Sequence, residues 1–359
     1  MKVIQVRSPY KIAINETDQL FAKVELFVWG GDETEPTTAS YILEKQIPDI
    51  TQPTCYFNIS PYIKENVEAI KPSAVTPTVE EYLMWRKVKV VRFYKEALLD
   101  DWTEIDDEEL IALNGDTNYM GGWNQSSSEN LIYLTNKTVK IKRSDNFQYF
   151  NIVIDYDNTL TLDLIARYRN LGGVIQDEST LLTPADDSGV YMFKVPYRTS
   201  DSGLINGNTV ELIYDSTLHP RIYFINEDEC LYTPIKCSFI NSSGGWQFIT
   251  FFKVRTDEYE TTNKEYNLLA DADDYNVYRG QKKAFNFQQK QKVKVNTGWV
   301  EENYIELITE LMNSETILLD ETPVMIVSKT MTKKTATTDK MINYQIDFEY
   351  AFNLINDVD

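Results

Sequence analysis

The chain holds one histidine in 359 residues, His219. Any Ser-His-Asp, Cys-His-Asp or multi-histidine metal arrangement would have to run through that single side chain. It stands in Thr217-Leu218-His219-Pro220, just before the alternating run of residues 221–225, which reads as a loop entering a strand. Cysteine offers no more. Cys55, Cys230 and Cys237 are an odd, sparse set with neither a disulfide framework nor a Cys-x-x-Cys zinc spacing. Each lies in an apolar run, where a free thiol packs as a small hydrophobe. Chemistry would therefore fall to carboxylates, tyrosine or lysine.

The carboxylates occur in three settings. Asn151-Ile152-Val153-Ile154-Asp155-Tyr156-Asp157-Asn158-Thr159 is an apolar strand followed by Asp-x-Asp-x-Thr, and it resembles the first motif of haloacid dehalogenase-like phosphatases. That resemblance implies Asp155 as nucleophile on phosphorus, Asp157 as acid and base, and a magnesium ion to neutralise charge. The fold of that family needs a helix next, yet residues 160–167 continue at strand period. Asp157-Asn158 therefore reads as a hairpin turn between two strands. Asp271, Asp273 and Asp274, and the pair Asp186-Asp187, carry calcium-ligand chemistry. They lack the glycine and distal glutamate of an EF-hand loop and read as solvated loops. Residues 100–109 hold seven acids in ten, Asp106, Asp107, Glu108 and Glu109 among them, the pattern of a repulsive, solvated surface.

Lys and Arg total 35 against 55 Asp and Glu, a net charge of −20. That field opposes nucleic acid and anionic membrane surfaces alike, so neither sequence-specific nucleic acid nor membrane is expected as a partner. No apolar run reaches the length of a membrane-spanning helix, and Met1 to Arg7 breaks too soon for a signal peptide, which points to synthesis in a cytoplasm. The charge is uneven. Lys282, Lys283, Lys290, Lys292 and Lys294 occur with no acid before Glu301, and Lys329, Lys333, Lys334 and Lys340 face only Asp339. An acidic first domain could meet this basic strip in a head-to-tail subunit contact, or the two could be separate exposed faces. With Phe285 and Phe287 the strip also has the composition of a single-strand nucleic-acid groove, which the global charge opposes.

The aromatics (Tyr 23, Phe 16, Trp 6) sit in short alternating runs. Alternation predicts strands over 20–29, 41–47, 54–59, 88–94, 130–134, 147–154, 160–168, 190–195, 210–214, 221–225, 230–240, 246–254, 293–295, 324–331 and 341–352. Helices are few: a short one over 60–67 with Ser60 as N-cap and Pro61 first inside it, another over 106–113, and a clear one over 301–314 lying across a sheet. The fold class is all-β to β-rich α+β, with tandem β-sandwich-like domains and one C-terminal helix packed on a sheet. At roughly 150 residues per domain the length fits two or three. We place an immunoglobulin- or fibronectin-like sandwich at 1–143, a small sandwich at 144–233, and a long-stranded domain with the C-terminal helix at 234–359. Residues 258–291 read as a long exposed hairpin or loop.

Four passages together resemble a known family. They are Arg7-Ser8-Pro9-Tyr10 with the strand ending Leu26-Phe27-Val28-Trp29; Phe57-Asn58-Ile59-Ser60-Pro61-Tyr62-Ile63; the run from Tyr232 through Asn241-Ser242-Ser243-Gly244-Gly245-Trp246-Gln247 to Lys253; and Val295-Asn296-Thr297-Gly298-Trp299-Val300 with residues 339–351. The chain resembles virion structural proteins of crAss-like and related tailed phages of gut bacteria. In the third passage Ser242-Ser243 stands where a basic-aromatic pair is expected.

The resemblance implies a ring, collar or baseplate component of the tail or neck, with six- or twelve-fold symmetry. Its partners would be further copies and adjacent virion proteins such as portal, other ring proteins or tail fibres. No cofactor and no catalysis are expected. Trp29 and Trp299 join Lys282, Lys283, Lys290, Lys292, Lys294, Asp106, Asp107, Glu108 and Glu109 as candidate interface residues. The alternative is a carbohydrate- or receptor-binding tail protein, in which Tyr119, Trp123 and Trp246 would stack on sugars.

Overall fold

A computed structural model describes residues 2–354 except 31–32, 48–53, 70–77, 80–83, 119–130, 136–137, 143–148, 157–158, 160–162, 184–185, 187–188, 199–202, 205, 215–216, 219–220, 228–230, 270–277, 279, 303, 329 and 333–340. His219, Cys230, Tyr119, Trp123, Asp157, Asn158, Asp187, Asp271, Asp273, Asp274, Lys329, Lys333, Lys334 and Lys340 lie outside the described residues. The fold is β-rich, as its alternating pattern requires. The chain divides into two compact units: residues 1–228, 239–248 and 313–316 form the first, and 229–238, 249–312 and 317–359 the second. No helix among the described residues is long and apolar enough to cross a bilayer.

The first unit begins with β1 (Val3–Gln5), β2 (Lys11–Ile14), β3 (Phe21–Trp29), β4 (Tyr41–Gln46), β5 (Cys55–Asn58), α1 (Ser60–Lys64), β6 (Thr78–Val79), β7 (Trp85–Lys95) and β8 (Thr103–Leu113). Five of the strands make one sheet in the order β1-β8-β7-β3-β4, and β2 pairs with β5. Ala22, Val24 and Leu26 alternate along β3 and meet Val88 and Val90 of β7 and Leu110 and Ala112 of β8 in a buried core. Lys23, on the opposite face of β3, is 8% exposed, with its ammonium over the Phe93 ring and bonded to Glu25 at 2.7 Å.

Two local expectations are corrected here. Residues 106–113 are strand, not helix: β8 pairs with β7 along its length, and its Asp106, Asp107 and Glu108 are matched by cations on neighbouring segments, as detailed below. Ser60 does not cap α1. Ile59 takes that position, already with helical dihedrals, and the Ser60 hydroxyl donates to Ser8 O at 2.7 Å and accepts from Tyr10 N at 2.8 Å.

The unit continues with β9 (Leu131–Tyr133), β10 (Thr138–Lys142), β11 (Tyr149–Tyr156), β12 (Leu164–Asn170), β13 (Ile175–Leu182), β14 (Gly189–Pro196), β15 (Gly207–Tyr214), β16 (Thr217–Leu218) and β17 (Ile222–Glu227). They form a sandwich of two sheets. One has the order β10-β17-β15-β12-β13 with β16 on β15, and the other β6-β14-β11-β9. Phe150, Ile152 and Ile154 from β11 share one core with Leu164, Ala166 and Tyr168 from β12 and Val210 and Leu212 from β15. Three strands drawn from residues 1–143, β6, β9 and β10, pair in these sheets, so this sandwich reaches back across residue 143. β11 and β12 lie in different sheets, so they do not pair as the hairpin expected of them.

The remaining elements are β18 (Ile235–Ile240), β19 (Trp246–Phe251), β20 (Thr256–Asn267), β21 (Lys282–Glu301), α2 (Tyr304–Asn313), β22 (Ile317–Leu319), β23 (Thr322–Ile326) and β24 (Met341–Tyr350). In the second unit the strands follow the order β22-β23-β24-β21-β20. The C-terminal helix starts at Tyr304, not Glu301, because the ladder of β21 holds residues up to Glu301. Its Ile305, Leu307, Ile308 and Leu311 are buried at helical spacing.

Candidate assembly surface

The strongest surface feature is the pairing of β20 with β21. Val293 and Val295 are each 1% exposed and sit opposite Phe348 and Ile346 of β24. N-terminal to Val293 the inward positions of β21 turn polar at Gln291 and Gln289, so the hydrophobic gain that buries Val293 and Val295 stops there. The structure follows this pattern. β24 pairs only with residues 292–301 of β21, while residues 282–291 pair with β20 alone, apart from one bond from Leu354 N to Gln289 O at 3.0 Å. All twelve residues of β20 are exposed. The result is a solvated two-stranded ribbon, continued by Leu268 N donating to Gln281 O at 2.7 Å. The long exposed hairpin expected near 258–291 is thus a regular β-ribbon.

The ribbon displays aromatic rings. Tyr259, Tyr266, Phe285 and Phe287 are all exposed, and Tyr266 meets Phe285 edge to face at 5.5 Å between centroids. Toward the ribbon tip Leu269 and Tyr278 are 98% exposed. A bulge sits between Phe285 and Gln288, with Asn286 in the left-handed region at φ 53°. The lysine strip of the sequence lies on β21, but three of its five lysines are already matched. Lys292 bonds Glu260 at 2.5 Å and Lys290 bonds Glu349 at 2.8 Å; Lys294 stands 3.8 Å from Glu258. The Lys292 hydrogen bond and charge hold the Glu260 carboxyl below its usual range. Lys282 and Lys283 form no ion pair with a described residue; they sit opposite Asn267 and Tyr266.

Trp299 is 64% exposed, and a second bulge puts it outside. Thr297 and Gly298 together stand against the single residue Tyr344, so the β21–β24 register shifts by one between Asn296 and Trp299. Gly298 adopts φ +70°, which favours glycine, and its N–H donates to Asn296 Oδ1 at 2.7 Å. The buried Thr297 hydroxyl accepts from Tyr344 N at 3.0 Å, pinning the bulge to β24.

Trp29, by contrast, is only 9% exposed and lines a cavity of about 350 Å³ in the first unit with Lys2, Lys87, Glu109 and Asp155. It is an interior residue rather than a surface anchor. Three acids of the run, Asp106, Asp107 and Glu108, are neutralised locally. Arg92 bonds Asp106 at 2.6 Å and also Glu108, Lys2 pairs with Glu108, and Lys89 stands 3.7 Å from Asp107. A different exposed feature of this unit went unread in the sequence. Leu98 and Leu99, at the turn joining β7 to β8, are 69% and 95% exposed. The only signal was two adjacent leucines ahead of Asp100-Asp101.

Three of the four family-like passages meet inside the first unit. Arg7 Nη2 donates to Asn241 O at 2.9 Å and pairs with Asp116 at 3.1 Å. Ser60 ties the second passage to the first through Ser8 and Tyr10. The turn joining β18 to β19 is knotted by Asn241. Its Oδ1 accepts from Ser243 N and Gly245 N, and its Nδ2 donates to Leu134 O at 2.6 Å. Asn151 Oδ1 accepts from Trp246 N at 3.0 Å. A Cβ on Gly245 would stand 2.6 Å from Leu134 Cβ and O, so only glycine allows this approach. The Ser242 carbonyl accepts from Asp116 N at 2.7 Å.

Trp246 is fully buried, so it presents no ring to a sugar. Asp155 borders the cavity already described, and among the described residues no group of three or more His, Cys, Asp or Glu side chains gathers to hold a metal. No protein-family profile and no curated protein matches the chain. Among solved structures with some likeness is "Crystal structure of CBD12 from CALX1.2", 10% identical over 58% of this chain and 75% of that chain, at a TM-score of 0.17. A likeness at that score carries no argument here.

Proposed function

We propose that the chain is a structural subunit of a tailed-phage tail or neck assembly, of ring, collar or baseplate type. It docks further copies of itself and neighbouring virion proteins such as portal, other ring proteins or tail fibres, and it catalyses nothing. The observation that supports this reading best is the β20–β21 ribbon. Its strands exceed the usual strand length of about five to six residues and bury neither face. A chain that maintains such an element beyond its own core has a use for it outside that core. The family-like passages support the reading from the sequence side, since three of them build one buried hydrogen-bonded knot.

Antiserum raised against the purified chain tests it. Immunogold labelling of particles of the phage that encodes the chain is expected to place gold at the neck or tail. Particles that carry no label, and whose protein digests lack its peptides, would overturn the proposal.

A further inference from the structure

We infer that the ribbon of one copy pairs edge to edge with the ribbon of the next. The outer edge of β20 lies against residues 282–288 of its neighbour's β21. This inference rests on the assembly reading and names the contact through which copies would join.

Three observations carry it. First, both edges are open. β20 ends its sheet, and residues 282–288 of β21 have β20 as their one ladder partner among the described residues. An edge of this length is a template for another strand, and a ribbon without a buried face is marginal in water until something covers it.

Second, the geometry repeats. β20 and β21 run antiparallel, so ribbons set side by side and pointing the same way bring each β20 beside the next β21, again antiparallel. That contact uses two different surfaces, so it propagates from copy to copy and closes if the rotation allows.

Third, the charges choose this arrangement over a two-fold one. β20 carries Asp257, Glu258, Glu260 and Glu265 against Lys264, while residues 282–291 carry Lys282, Lys283, Lys290 and no acid. Within the chain Asp257 pairs with Arg255, Glu260 with Lys292, Glu258 with Lys294 and Lys290 with Glu349. Among the described residues, those without an ion pair at the distal end are Lys264 and Glu265 on one edge and Lys282 and Lys283 on the other. Ribbon against ribbon in one direction sets acid beside lysine, whereas β20 against β20 would set like charges face to face.

Sedimentation velocity of the full chain tests the contact. Two variants are needed, Lys282→Glu with Lys283→Glu, and Glu265→Lys with Asn267→Lys. All four positions are exposed, so both variants are expected to keep the wild-type circular dichroism. The wild-type chain is expected to self-associate, and each variant alone to do so about tenfold more weakly or worse. An equal mixture of the two variants is expected to recover association, because each then meets an edge of opposite charge. That rescue is specific to the head-to-tail contact. A wild-type chain that stays monomeric, oligomers indifferent to both sets of substitutions, or a mixture without rescue would overturn it. The assembly reading stands or falls separately, on the particle labelling.

Discussion

Glu211→Ala is expected to destabilise the sandwich that contains β15 by about 3–5 kcal/mol, the cost of breaking a buried ion cluster by removing one member. The Glu211 side chain is 2% exposed on β15. Arg169 Nε reaches its Oε1 at 2.6 Å and Arg221 Nε its Oε2 at 2.9 Å. Arg167 stands 3.7 Å away and bonds Glu178 at 2.5 Å. Without the carboxylate, Arg169 keeps its place between strands with its main partner gone. Urea unfolding followed by tryptophan fluorescence measures the loss.

The same site sets a pH dependence. Burial alone would push the Glu211 carboxyl up, but the hydrogen bonds and charges of Arg169 and Arg221 outweigh it and the net shift is downward from 4.5. The unfolded chain therefore takes up the proton first as pH falls. The stabilisation is complete above about pH 4.5 and is lost progressively below it, as pH drops through the folded value. Glu211→Ala should flatten that part of the acid limb in a stability–pH series.

Asn241→Ala is expected to cost about 3 kcal/mol or more. The side chain is 2% exposed and serves three backbone groups, accepting from two N–H groups and donating to Leu134 O. Each buried backbone group left without a partner costs about 1–3 kcal/mol. Asn241→Asp keeps the acceptor but loses the donor and buries a charge beside Leu134 O, so it should not restore stability. Thermal unfolding of both variants checks this.

Strands that bury one face announced themselves. β3, β7 and β11 show apolar side chains at every second position because a core waits on one side. Three kinds of feature were hidden. β20 carries no aliphatic residue and β13 is polar from Gln176 to Thr180, so no alternation marks them; ladder bonds to a neighbour make them strands. β8 begins with acids that read as a repulsive helix, and only Arg92, Lys89 and Lys2 on adjacent segments explain an extended run there. The Asp157-Asn158 dipeptide was recognisable as a break, but turn chemistry does not say which sheet the chain enters next.

The surface was legible in part. The lysines on β21 and the exposed Trp299 were visible as residue types, whereas the ion pairs of Lys290, Lys292 and Lys294 depend on strand register. Trp29 looked equally available, and its burial follows from its position on a central strand.

The most direct measurement is amide hydrogen exchange over residues 256–267 and 282–291, compared between the free chain and the chain assembled on its particle. The free ribbon should exchange fast, since it has solvent on both faces, and assembly should slow it markedly on both strands. Equal exchange in the two states would mean that this surface docks nothing.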